Sequence, residues 1–116
     1  LKQKLQLNYL YKDTEVVRAV KADHTAHAAQ YYQLSRSLPA KARILHIADD
    51  YGQLDFLLLL TYPEREIVSV IEDDEKRAVA QQSYLVHIRK LQYLKARPDE
   101  SFDIEIVGAE VVSQRV

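Results

Sequence analysis

Apolar and polar positions along the chain fall into two regimes. Residues 1 to 38 contain no glycine or proline and are rich in Ala, Leu, Lys and Gln, which predicts two or three helices before any strand. Asp13-Thr14 offers an N-cap for a helix through Glu15-Val16-Val17-Arg18-Ala19-Val20. A second helix covers Thr25 to Ser37 and ends before Leu38-Pro39, because a residue preceding proline is kept out of the helical region. From Arg43 the pattern changes to short runs. Ile44-Leu45-His46-Ile47-Ala48 reads as a strand entering a tight loop at Asp49-Asp50-Tyr51-Gly52, and Leu54 to Leu60 as a buried helix closed by Tyr62-Pro63. Glu66 to Ile71 is a second, β-branched strand. Glu72-Asp73-Asp74-Glu75 then opens a helix running to about Leu85, with its acids at the positive end of the helix dipole. Leu91 to Lys95 and Phe102 to Gly108 complete the set as strands three and four.

Strands alternating with helices imply a parallel sheet with right-handed crossovers. The expectation is one α/β domain: an N-terminal helical segment over residues 1–40, packed on a Rossmann-like core over 41–116 whose open parallel sheet is truncated after about four strands. The edge of such a sheet needs cover, so a homodimer through it is a further expectation.

The 116 residues suffice for one core, and 47% hydrophobic and 28% charged residues with net charge −1 describe a water-soluble globule without the electrostatic footprint of a nucleic-acid binder. The absence of cysteine excludes a disulfide framework, a thiolate metal site and a cysteine nucleophile in this chain. Phe56 to Leu60 is the longest apolar run, far short of the roughly 20 residues that span a bilayer, and residues 1–20 lack a signal-peptide apolar region. Methionine is absent even at position 1, and the expectation is a piece of a longer protein or a sequence with residues missing from it.

The order strand, glycine turn, helix, strand, acidic cluster, helix resembles the opening half of class I S-adenosylmethionine (SAM)-dependent methyltransferases. Tyr9-Leu10-Tyr11-Lys12, Leu38-Pro39-Ala40-Lys41-Ala42-Arg43-Ile44-Leu45, Tyr62-Pro63-Glu64-Arg65-Glu66-Ile67 and Asp74-Glu75-Lys76-Arg77-Ala78-Val79-Ala80 look like a bacterial subgroup. In that subgroup the methyltransferase-like domain ends a fusion of an MMPL-type transporter with a lysophospholipid acyltransferase, labelled 1-acylglycerol-3-phosphate O-acyltransferase. The likeness covers roughly residues 9 to 112. It implies that the positions matching the SAM site are His46, Ala48, Asp50, Gly52 and Glu72. The family's loop carries three glycines so that backbone can approach the cofactor, and here only Gly52 stands at such a position. Asp50 puts bulk and negative charge where the carboxylate end of SAM would lie, and His46 replaces an acid that holds the methionine amino group. The ribose-binding acid aligns with Ile71, with Glu72 one residue on, a step that reverses the facing of a strand side chain. The adenine-binding acid aligns with Arg97.

The resemblance therefore implies a SAM-methyltransferase-like domain with most cofactor residues replaced, no cofactor and no catalytic residue of its own. Its partners would be the other domains of a membrane-associated parent, and its place cytoplasmic, tethered through that parent. The rival implication is a working SAM-dependent methyltransferase using Gly52 and Glu72. Other chemistry weighs less. His46, Asp49, Asp50, Glu72, Asp73 and Asp74 gather near two strand ends, where a hard cation could bind, although such acids more often cap helices or face solvent. Adjacent tyrosines on a helix, Tyr31 and Tyr32, point apart and form no stacking platform. Lys2, Lys4, Lys12, Arg18 and Lys21 could meet anionic lipid, but Asp13, Glu15 and Asp23 are interspersed and a solvated face is the plainer reading. No His-x4-Asp pair, Gly-x-Ser-x-Gly elbow or phosphate-cradling loop occurs.

Overall fold

The computed structural model describes residues 14–115. The expected Asp13 cap, the Tyr9 and Tyr11 segment and Lys2, Lys4 and Lys12 lie outside the described residues. Thr14–Ser37 forms one continuous helix, α1, where the sequence predicted a break near residues 21–24. No glycine or proline interrupts that stretch, and propensity alone carries the helix through it. Its inward stripe is Tyr31, Leu34, Ser35 and Leu38, the i, i+3, i+4, i+7 spacing of a packed helical face.

The elements then run β1 (Arg43–Ile47), α2 (Gln53–Thr61), β2 (Glu66–Val70), α3 (Asp74–Ala80), α4 (Leu85–Ile88), β3 (Lys90–Leu94), β4 (Ile104–Val107) and β5 (Glu110–Gln114). The helix expected to reach Leu85 breaks at Gln81–Tyr84 into α3 and the single turn of α4. One sheet has the order β3-β2-β1-β4-β5. Its first four strands are parallel, and β5 runs antiparallel to β4. The sheet thus has five strands rather than the expected four or so. β5 returns through a two-residue turn, Gly108-Ala109, with Gly108 at φ +66°, where a side chain would be strained. A register shift at Glu105/Ile106 puts a bulge in this edge pair, a device that twists an edge strand away from further pairing.

Strand alternation divides the core. Ile44, Ile67, Ile71, Leu91, Tyr93, Ile104 and Ile106 face α1 and α2 and form the larger cluster with Leu54, Leu57 and Leu58. Leu45, Val68 and Val70 face the other way and pack with Phe102. That second face has no helix in its β3-to-β4 connection: residues 95–103 cross it as an irregular segment. Arg43 lies 4.6 Å over the Phe102 ring, and Arg97 makes two 2.9 Å bonds to Glu105. On the helical side Arg65 is fully buried. It donates to Ser35 Oγ and to the carbonyls of Ser35, Leu38, Pro39 and Leu58, pinning the end of α1 to α2 and the start of β2. Among the described residues no helix is long and apolar enough to cross a membrane.

Candidate functional site

The loop after β1 and the N-terminus of α2 carry the residues singled out from the sequence. Asp50 is buried and caps the helix: its carboxylate accepts from the backbone N–H of Gly52 and of Leu54, both at 3.1 Å. Gly52 sits in the left-handed region at φ +93°, a conformation glycine adopts without the Cβ penalty. A Cβ there would lie 2.7 Å from the Tyr93 hydroxyl and 3.2 Å from Ala80 Cβ. The space over Gly52 is therefore filled by the protein's own β3 side chain.

His46 lies beneath, 1% exposed. Its Nε2 is 2.8 Å from the Gly108 carbonyl oxygen and its Nδ1 is 2.8 Å from Asp55 Oδ1. A carbonyl only accepts, so Nε2 donates, and the second nitrogen faces a carboxylate. Burial works against a charge on the ring. The charge and hydrogen bond of Asp55, the charge of Asp50 and the Gly108 bond outweigh it, lifting the imidazole to about 9. His46 is thus an imidazolium at neutral pH. Burial raises the Asp50 carboxyl, and the His46 charge opposes that rise. The Tyr93 phenol is held well above its ordinary value by burial and then by the negative charges of Asp55 and Asp50. Register extends the polar patch, since His46, Ser69 and Tyr93 stand side by side across β1, β2 and β3. Asp55 Oδ2 and Ser69 Oγ are buried without a hydrogen-bond partner among the described residues.

Asp55 was not singled out from the sequence, although a lone acid inside the apolar stretch Leu54 to Leu60 was the available signal. A carboxylate that is 0% exposed requires a partner, and His46 supplies it. Tyr93 was also missed, since nothing local to β3 marks it as the side chain that closes over Gly52.

The remaining positions lie outside this cluster. A cleft of about 740 Å³ opens beyond the carboxyl ends of β1, β2 and β3, with Ala48, Glu72, Asp73 and Arg97 among its walls. β2 ends at Val70, so Glu72 stands past the strand, where alternation no longer sets its direction. Ile71, the position aligned with the ribose acid, is buried in the helical-side core and donates its N–H to Leu94 O at 2.9 Å. Asp49 pairs with Lys76 at 3.0 Å, Asp73 accepts from the Lys76 N–H as the cap of α3, and Asp74 pairs with Arg77 and Lys95. The acids that cluster in sequence are therefore dispersed among caps, ion pairs and the interior. No three of His, Asp and Glu are grouped to hold a metal among the described residues.

No protein-family model and no curated protein sequence matches the chain. Solved structures are similar to it in fold. Coclaurine N-methyltransferase bound to N-methylheliamine and S-adenosylhomocysteine (SAH) superposes with a TM-score of 0.57 at 12% identity, over 68% of this chain and 26% of that one. The plantazolicin methyltransferase BpumL in complex with SAH is similar over 91% of this chain and 40% of its own length, at 18% identity and a TM-score of 0.49. The chain spans about a quarter and two fifths of these two proteins. The fold is mixed α/β with a mostly parallel five-stranded sheet, of the Rossmann-like methyltransferase type.

Proposed function

We propose that the chain is a non-catalytic, methyltransferase-like accessory domain that acts through contacts with other parts of a larger lipid-handling protein. The observation that carries this reading is the occupation of the glycine loop from within. Tyr93 Oη lies 2.7 Å from where a Gly52 Cβ would be, and both nitrogens of His46, both carboxylate oxygens of Asp50 and one oxygen of Asp55 are engaged with one another or with the backbone. In the resemblance those positions serve the amino-acid end of SAM. Here they do not fit it, because their hydrogen-bonding capacity is turned inward and the backbone of the loop is covered. The cleft beside Glu72 remains open, but one wall of a split site supplies no methyl-transfer geometry.

The lipid-handling parent rests on the resemblance of the Tyr62–Ile67 and Asp74–Ala80 segments to the acyltransferase fusion proteins. Acyl transfer would reside elsewhere in such a parent, since the His-x4-Asp pair that chemistry uses is absent: no histidine here stands five residues before an aspartate, and His46 and Asp50 are one residue too close.

Thermal unfolding with and without SAM and SAH tests the reading. Ligand at 100 times its dissociation constant adds about 2.7 kcal/mol. No shift is expected at millimolar ligand; a rise of several degrees overturns the proposal in favour of a working cofactor site.

A further inference from the structure

Parallel sheets are ordinarily covered on both faces, because crossover helices lie on each. Here the helices of the β1-to-β2 and β2-to-β3 crossovers lie on one face, and the other is crossed only by the irregular segment 95–103. Register lines up Leu94, Val70, Ile47 and Val107 as direct neighbours across β3, β2, β1 and β4. All four point to this second face. Val70 is buried at 7% against Phe102, Leu94 and Ile47 are partly exposed, Val107 is 48% exposed, and Val112 on adjoining β5 is 55% exposed. Ile47 and Val70 also line the open cleft, so the row is a continuous apolar strip running from the cleft to the sheet edge.

The cations nearest the two ends of the row are engaged, and Arg115 lies further down the sheet beside Glu105. Lys95 is held by Asp74, and Arg97 by both oxygens of Glu105. Glu72 at the cleft wall and Glu110 opposite Val107 are exposed, and neither side chain has a hydrogen bond or ion pair among the described residues. The unpaired charge at both ends is negative.

We infer that this face is a docking surface for an amphipathic helix of a partner polypeptide, its apolar stripe on the Leu94-Val70-Ile47-Val107 row and its flanking lysines or arginines against Glu72 and Glu110. Strands stand about 4.8 Å apart, so crossing from β3 to β5 takes about 19 Å. At 1.5 Å per residue that is a helix of about 13 residues. The partner's cationic margin gives the orientation, and the apolar row gives the contact area. The inference is independent of the closed glycine loop: a SAH titration reads the loop, and the experiment below reads the sheet face.

A labelled 14-residue Leu/Lys amphipathic helix is titrated into the 116-residue chain by fluorescence anisotropy, beside a Leu/Glu helix and a scrambled Leu/Lys peptide of identical composition. The Leu/Lys helix should bind more tightly than both. Val107→Asp and Val112→Asp, at exposed positions that leave the core intact, should each weaken binding about tenfold or more. Glu72→Gln with Glu110→Gln should weaken it several-fold and flatten its salt dependence. Hydrogen exchange should slow in β4 and β5 on binding. Equal binding of the Leu/Glu or scrambled peptide, indifference to both valine substitutions, or protection confined to another face overturns the inference. So does a concentration-dependent dimer that Val107→Asp abolishes, which would assign the face to a second copy of the chain.

Discussion

His46 and Asp55 meet at 2.8 Å in the interior, at 1% and 0% side-chain exposure, on the face where β1 passes under the first turn of α2. With the second imidazole nitrogen on the Gly108 carbonyl, the pair ties α2 to the turn between β4 and β5. A buried pair of this kind is a device for registration more than for stability. Deleting one partner typically costs about 3–5 kcal/mol because the other charge is left unpaired.

The charge on His46 makes stability depend on pH. Its value in the folded chain is about 9 against an ordinary 6.5. The protonated ring's contribution is fully present below 6.5 and is lost as pH rises through 9, a change on the order of 3 kcal/mol. Tyr93 titrates above this window. Urea unfolding at pH 6, 7, 8 and 9 should show stability falling across the range in the native chain and a flatter profile in His46→Gln. Parallel profiles would mean that the ring is neutral.

Gly52 and Tyr93 form a cycle that separates two costs. Gly52→Ala meets the hydroxyl at 2.7 Å and also carries the left-handed φ of +93°. In Gly52→Ala with Tyr93→Phe the nearest ring contact becomes ordinary, since Tyr93 Cζ is 3.5 Å away, leaving the backbone term of about 1 kcal/mol and the 3.2 Å approach to Ala80 Cβ. The double variant should therefore be more stable than the single costs sum to, read as the midpoint of chemical denaturation. Strict additivity would show that the hydroxyl does not occupy that space.

Ser69 is buried with its hydroxyl unpaired among the described residues, between His46 and Tyr93 in register. Removing an unsatisfied buried hydroxyl removes a desolvation cost, so Ser69→Ala should be neutral or stabilising by up to about 1 kcal/mol. A loss above about 1 kcal/mol in a thermal melt would reveal a hydrogen bond made by that hydroxyl.

Arg65 is the opposite case. Its guanidinium is buried, burial lowers its basicity, and it satisfies four backbone carbonyls with no carboxylate partner among the described residues. A lysine offers a point charge in place of the planar fork, so Arg65→Lys is not conservative. Loss of several charge-assisted bonds should cost about 3 kcal/mol or more, a fall in melting temperature of about 10 °C or more for a chain of this size. A drop of only a degree or two would relegate the network to a crystal-like accident of packing.

The four parallel strands were legible because short apolar runs bounded by turn residues recur at Ile44, Ile67, Leu91 and Ile104, β-branched in all but the third. β5 escaped because Val111-Val112 is too short a run to stand alone. The Gly108-Ala109 pair that turns the chain into it is a hairpin signal only once both flanks are taken as strands. The continuous α1 was hidden by reading Thr25 as a fresh start. Of the site, His46 was singled out by its place in β1, and Asp50 and Gly52 by theirs in the loop after it. Their true company, Asp55 and Tyr93, was not, because contact across α2 and β3 is set by tertiary packing. Glu72 was read as standing one residue past a strand that ended at Ile71; β2 ends at Val70, so Glu72 lies beyond the pleat and lines the cleft.

Where Arg65 grips α1 it does so at the last turn, at Ser35, and at Leu38 and Pro39 just beyond. Twenty residues earlier, Arg18, Lys21 and Ala22 are exposed, and so are Thr25 and Ala26. One helix therefore has two lifetimes. Its amide protons near Tyr31 to Ser35 exchange only when the whole domain opens, whereas those around Arg18 to Ala26 exchange by fraying that leaves the sheet untouched. The rod is anchored at its carboxyl end like a mast, stepped into the core by Tyr31, Leu34 and Leu38 and lashed there by the Arg65 guanidinium.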